Sequence, residues 1–301
     1  MHKRFRLGFM GRKRVHAVRG LSLEVGQGEI VGFLGPNGAG KTTTLKMLLG
    51  LIRPSSGSIE ILGRPVGHPE ARAALGFLPE SPYFYGYLDA EEFLDLKGRL
   101  HGLDAATRRR RSAELLERVG LSATQGRPLR NFSKGMLQRV GLAQALMGDP
   151  KVVLLDEPQT GLDPLGRKEV RDLIRELRDE GRTVFFSSHV LADVEMVCDQ
   201  VALIVDGSLR EMGPLTALLS PKALSTDVVI EGGGDLEVPA GLDEAVTLVR
   251  VEDDGGAWFS AQEDAAVDAL VHAAVSAGLR VRAVVPHKET LEDLFVRETA
   301  K

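Results

Sequence analysis

Gly35-Pro36-Asn37-Gly38-Ala39-Gly40-Lys41-Thr42 is the stretch from which the rest of this chain can be read. The spacing G-x-x-x-x-G-K-[ST] makes a phosphate-binding loop when it joins a buried strand to a helix. Both neighbours are legible here. Glu29-Ile30-Val31-Gly32-Phe33-Leu34 ahead of it is a strand-sized apolar run, and Leu45, Leu48 and Leu49 behind it recur at helical spacing. Glycines let backbone N–H groups turn inward around phosphates, and the positive end of the following helix adds to the field there. Gly35, Pro36, Asn37, Gly38, Ala39, Gly40, Lys41, Thr42 and Thr43 are therefore expected to cradle a nucleotide. Within that cradle Lys41 would reach the β- and γ-phosphates, and the Thr42 hydroxyl would bind Mg2+.

Outward from the cradle, further strand-like runs alternate with helical patterns, the signature of a parallel sheet with crossover helices. Val152-Val153-Leu154-Leu155 is one such run, Thr183-Val184-Phe185-Phe186 a second and Val201 to Val205 a third. Between the first two, Asp163 is placed to cap a helix that Pro164 opens, with Val170, Leu173, Ile174 and Leu177 at i, i+3, i+4 and i+7. Asp89 and Glu92 predict a capping box, and residues from about 88 to 148 show no β pattern; they are read as a helical insertion in the α/β core. After Gly213-Pro214 the texture changes to short β-like pieces separated by Gly232-Gly233-Gly234 and Asp253-Asp254-Gly255-Gly256. A helix with Val267, Leu270, Val271 and Ala274 on one face comes next, then a strand from Leu279 to Val285 and a last helix with Leu291, Leu294 and Phe295. The expected organisation is a domain over residues 1–220 and a small α+β domain over 221–301.

Bulk properties narrow the classes. The 301 residues are 43% hydrophobic and 27% charged, with a net charge of −4, which gives no basic stripe for a nucleic-acid partner. Cys198 is the single cysteine and is expected to be a small buried apolar residue. No apolar run approaches the roughly 18 residues of a membrane span. Met1-His2-Lys3-Arg4-Phe5-Arg6 lacks the apolar core of a secretory signal, so the chain is expected in the cytoplasm.

The run that ends Leu154-Leu155-Asp156-Glu157 places two carboxylates at the C-terminal end of a buried strand, where open α/β sheets bind ligands. Asp156 suits the shell of a magnesium ion, and Glu157 could polarise an attacking water as general base.

With these motifs in order, the sequence resembles the ABC ATPase family from the N-terminus to about residue 220. Asn131-Phe132-Ser133-Lys134-Gly135-Met136 resembles the family's signature, commonly Leu-Ser-Gly-Gly-Gln, with Ser133 and Gly135 matching and Lys134 and Met136 departing. Gly161-Leu162-Asp163-Pro164 resembles the D-loop and Ser187-Ser188-His189 the switch histidine. The resemblance implies a P-loop NTPase core and hydrolysis of ATP with Mg2+, with His189 sensing the γ-phosphate. It also implies that Ser133 and Gly135 serve ATP held by a second subunit, and that Asp163 lies at that junction. Where the family usually has glutamine, this chain has Glu80, which could bind Mg2+ but would repel the γ-phosphate unless compensated. By resemblance an N-terminal aromatic stacks on adenine, with Phe5 the first choice and Phe9 the second.

Two copies sandwiching two nucleotides are implied, a homodimer completing both sites and a heterodimer the alternative. A separate integral-membrane permease is also implied, holding the chain at the inner face of the membrane. Ser81-Pro82-Tyr83-Phe84-Tyr85-Gly86-Tyr87 is either the dock for that permease or packing beneath the helical insertion. Arg108-Arg109-Arg110-Arg111, followed by Glu114 and Glu117, reads as a solvated, salt-bridged helix face. The resemblance of residues 77–87 and 131–139 to exporter subunits implies export. The rival is a soluble ABC-type ATPase with a regulatory, non-transport role, whether on DNA or ribosomes or as a non-hydrolysing module. The short 43–130 interval without sustained heptads and the single cassette argue against the first two; intact Lys41, Asp156, Glu157 and His189 argue against the last.

Overall fold

A computed structural model describes residues 1–7, 13–219, 223–236, 238, 242 and 245–299. The chain divides into two compact units. One is Met1–Leu215 with the chain end from Arg297, and the other is Thr216–Val296. The division expected at 220/221 falls beside residues 220–222, which lie outside the described residues.

The first unit opens with an antiparallel hairpin, β1 (Lys3–Leu7) and β2 (Lys13–Val18), which pairs Phe5 with Val15. β3 (Ile30–Leu34) follows, then the cradle and α1 (Lys41–Leu48). A small ribbon of β4 (Glu60–Ile61) and β5 (Arg64–Pro65) leads through α2 (Pro69–Ala73) to β6 (Leu75–Leu78). The expected helical insertion is present as α3 (Ala90–Leu100), α4 (Ala105–Arg118) and α5 (Lys134–Leu146), which pack on one another. Both bonds of the Asp89–Glu92 capping box are made. The arginine run lies on α4, where Arg110 meets Glu114 at 3.0 Å. Arg108 instead reaches Asp95 at 2.6 Å, and Arg111 donates to the carbonyls of Leu146 and Met147 at the end of α5.

The core continues through β7 (Val152–Asp156), α6 (Pro164–Asp179), β8 (Thr183–Ser188), α7 (Leu191–Val197), β9 (Gln200–Val205) and β10 (Ser208–Pro214). Their sheet runs β6-β7-β8-β3-β9-β10, parallel throughout except for the antiparallel edge strand β10. Strands covered on both faces have no solvent side, so their sequences are unbroken apolar runs rather than alternations. The alternation survives in which layer each side chain enters. Val31, Phe33, Leu154 and Phe185 join Leu45 and Met47 of α1 in one core, with the Phe33 and Phe185 rings 5.2 Å apart. Gly32 faces the other way, where a Cβ would stand 2.6 Å from Val194 and 2.8 Å from the Cys198 sulfur on the α7 side. Each such buried aliphatic or aromatic side chain contributes about 1.5–3 kcal/mol. Gly76 on β6 admits α5 equally closely, since a Cβ there would lie 2.2 Å from the Ala145 carbonyl oxygen. That contact sets the insertion against the sheet.

The second unit begins at α8 (Leu215–Leu218), which starts one residue before the division, and continues with β11 (Ala223–Glu231), β12 (Val246–Val251), β13 (Ala257–Ala261), α9 (Asp264–Ser276), β14 (Arg280–Lys288) and α10 (Leu291–Thr299), whose end belongs to the first unit. Its four strands form an antiparallel sheet in the order β12-β13-β11-β14. α9 covers one face, burying Ala266, Leu270 and Ala274 with Val228, Ile230 and Phe259. Val267 and Val271 pack at the margin of this core. The α+β architecture read from the sequence is thus the one observed.

Candidate functional site

The cradle leaves the C-terminal end of the central strand β3, and two glycines shape it for steric reasons. A Cβ at Gly35 would stand 2.3 Å from the Ile204 carbonyl oxygen of β9. Gly40 has φ +107°, and a Cβ there would meet the Ala17 carbonyl oxygen of β2 at 2.5 Å. The hairpin that carries Phe5 therefore also closes over the end of the cradle. Phe5 itself is half-buried, with the Lys3 ammonium 5.0 Å from its ring centre; Phe9 lies outside the described residues.

Lys41 is 7% exposed. Its ammonium donates to the Gly35 carbonyl at 2.6 Å and stands 3.6 Å from the Glu157 carboxylate. Asp156 ends β7 and Glu157 follows it, next to β8 in the sheet, and the register pairs Asp156 with Ser187. Ser187 links the two acids: its hydroxyl donates to Asp156 Oδ1 at 2.7 Å and accepts the Glu157 backbone N–H at 2.9 Å. On its other side Glu157 meets His189 Nδ1 at 2.6 Å. Glu157 also holds φ +52°, a left-handed conformation that a non-glycine residue adopts at a cost of order 1–3 kcal/mol. Such strain clusters where a side chain must point somewhere particular. Burial of Lys41, Asp156 and Glu157 strengthens every charge interaction among them, because water screens them little. Structure thus gathers Lys41, Asp156, Glu157 and His189 at one place.

Ser187 as a linker was not read from the sequence. The signal was available: hydroxyls do not usually end a fully buried strand, yet Ser187 and Ser188 are 0% and 2% exposed. Gln159 is a second omission. It is 6% exposed, and neither polar atom of its amide has a hydrogen-bond partner among the described residues. One residue earlier, the Pro158 carbonyl accepts a bond from Gln138 of α5 at 3.0 Å, which ties the Glu157 turn to the insertion.

Thr42 and Thr43 are half-buried in the first turn of α1. The oxygen donors offered by Thr42 and Asp156 fit Mg2+, which takes hard oxygen ligands and is commonly held by one or two carboxylates plus substrate phosphates. No group of three His, Cys, Asp or Glu residues able to hold a metal occurs among the described residues, and that mode does not require one. Glu80 is exposed in the loop after β6. No described hydrogen bond or ion pair joins it to Asp156 or Glu157.

Ser133, Gly135 and Asp163 form a second group. Ser133 caps α5, its hydroxyl accepting the Met136 N–H at 3.2 Å, and Asp163 caps α6, accepting the Gly166 N–H at 2.8 Å. A Cβ on Gly135 would lie 3.3 Å from Leu162, so the signature turn and the 161–163 turn adjoin. No described contact brings this group to Lys41 or Glu157.

The profile of the ABC transporter family matches residues 18–160. An uncharacterized ABC transporter ATP-binding protein of Synechocystis is 43% identical over 300 residues, covering 98% of this chain and 82% of the relative. The chain belongs to the ABC transporter family, as an ATP-binding protein. A daunorubicin resistance ATP-binding protein of Streptomyces coeruleorubidus is 35% identical over 288 residues, covering 94% of this chain and 91% of that one. Among solved structures, a dimeric bacterial ABC transporter cassette superposes with a TM-score of 0.65 at 25% identity, covering 71% of this chain and 96% of the cassette. The matched residues 18–160 lie within the first unit of the chain. Among the described residues no helix is long and apolar enough to cross a membrane.

Proposed function

We propose that this ABC ATP-binding subunit hydrolyses MgATP between two copies of itself and so drives export through a separate membrane permease. The observation that carries the reading is the buried set around Glu157: a carboxylate within 3.6 Å of the cradle lysine and 2.6 Å of His189.

In this reading Lys41 turns from Gly35 and Glu157 to the β- and γ-phosphates, and Phe5 stacks on the adenine. Glu157 takes a proton from the attacking water, whose oxygen bonds to the γ-phosphorus as the bond to ADP breaks. His189 holds the γ-phosphate and Glu157 in register. Mg2+ on Thr42 and Asp156 would neutralise developing charge on the phosphates, with Glu80 at the margin of that shell. Ser133 and Gly135 cap the triphosphate of the partner copy, and Asp163 shapes the turn beside them. The outward-facing second group and the dimeric state of the superposed cassette support this arrangement.

For the permease, the loop before α3 offers exposed aromatic surface: Tyr83 is 82% and Tyr87 69% exposed. Phe84 turns inward, its ring 5.1 Å from that of Phe93. This divides the loop into an anchored residue and exposed tyrosines, packed ring against ring, suited to a partner helix. The drug-resistance relative supports export. Residues 1–220 are taken as the ATP-binding domain and 221–301 as an accessory domain.

Glu157→Gln tests the reading. Sedimentation in saturating MgATP should show a stable dimer of this variant, with ATP retained. A variant that stays monomeric with ATP bound, alone and with its permease, would overturn the two-copy site.

A further inference from the structure

One residue of the signature turn has no counterpart in the cradle chemistry. Lys134 lies between Ser133 and Gly135, at the first position of α5. Its side chain drapes over Gly161: Cε, Cδ and Nζ lie 2.6, 2.7 and 2.7 Å from the point a Cβ would occupy there. Any side chain at 161 would displace the lysine, and Gly161 also holds φ +77°, where only glycine is unstrained. Gly161 is therefore a seat for the lysine stem. Gly135 adjoins the same surface, its Cβ position 3.3 Å from Leu162 and 4.0 Å from the Ser133 hydroxyl.

The charge at this place is unfavourable in the isolated chain. A helix start is already positive, and a cation in its first turn is repelled by the peptide dipoles. The neighbouring Asp163 carboxylate is engaged as the cap of α6. An anion meeting the Ser133 hydroxyl and the α5 amides would turn that repulsion into attraction.

We propose that Lys134 is a further nucleotide-contacting residue: seated on Gly161, its ammonium joins Ser133 and Gly135 in capping the triphosphate held by the partner copy. The inference rests on the two-copy reading above. It carries a steric corollary, that a side chain at 161 would push the flexible end of the lysine off this seat.

The test takes the Glu157→Gln chain as parent and follows MgATP-driven dimerisation by sedimentation across a NaCl titration. Lys134→Met keeps most of the stem and removes the charge. It should weaken dimerisation about tenfold or more at low salt and flatten its salt dependence, while Lys134→Arg keeps both. Gly161→Ala should produce a similar loss by displacing the lysine, and adding Lys134→Gly to it should cost nothing further. Binding of ATP to the monomer is the control for local damage. Lys134→Met dimerising with the parent's affinity and salt slope overturns the inference alone, as do losses from positions 134 and 161 that simply multiply. A parent that never dimerises sinks the two-copy reading, and this inference with it.

Discussion

Lys41, Asp156 and Glu157 are 7, 2 and 9% exposed and hold one another through Ser187 and direct contact, whereas Ser133, Lys134 and Asp163 are exposed, the serine and the aspartate capping helices. The first group is finished within one chain. Taking three charges out of water is costly unless each meets a partner, so the fold supplies partners for all of them. The second group asks nothing of the core and presents a hydroxyl, a cation and helix amides to solvent. Chemistry that needs dry, fixed charges belongs to the first; recognition that must open and close belongs to the second.

The sharpest break of that contrast is at Glu157. Replacing it with Gln should slow steady-state ATP turnover by about 10²–10⁴-fold, the usual range for a general base. Turnover within twofold of the parent would remove Glu157 from that role. Next is Lys41→Ala, which should weaken ATP binding by the monomer about 10–100-fold, as loss of charged hydrogen bonds does. Ser133→Ala should leave that monomer affinity unmoved and lower only ATP-driven dimerisation. Equal damage to monomer binding from both would mean that the two groups are not separable.

Asp163→Ala should cost about 1 kcal/mol in urea denaturation through loss of the α6 cap. A neutral result would show that the 161–163 turn is held by something else. The smallest expected effect is at Cys198. Burial, with Asp199 beside it, pushes its thiol well above the usual range, so it stays protonated and unreactive in the folded chain. The sign follows: with the folded pKa above the unfolded one, its contribution to stability is complete below the ordinary thiol pKa and fades only as pH rises beyond it. Cys198 is half-buried rather than fully buried as its sequence suggested. Its raised thiol pKa should still make alkylation at pH 8 slow until denaturant is added, and rapid labelling of native protein would contradict that raised pKa.

Much of this was written in local pattern. The cradle needs particular residues at fixed spacing, so Gly35 to Thr42 could be recognised one by one, and Asp163 with Pro164 marked a helix start that the structure reproduces. Caps are local events between residues three apart, which a sequence displays directly. Ser187 could not be assigned its partner in the same way. Its bonds to Asp156 and Glu157 span 31 and 30 residues and exist only because β7 and β8 lie side by side in one register. The arginine run shows the same limit. The Arg110–Glu114 pair is an i, i+4 contact, but Arg111 finds carbonyls 35 and 36 residues away on α5.

From its sequence alone the chain declared an α/β nucleotide-binding core, a helical insertion and an α+β end, because periodicity, caps and the phosphate loop are properties of neighbouring residues. Tertiary structure alone decided that Lys41 and His189 converge on one carboxylate and that Lys134 rests on Gly161. Those facts depend on strand order and close backbone approach, and separation along the chain carries no information about either.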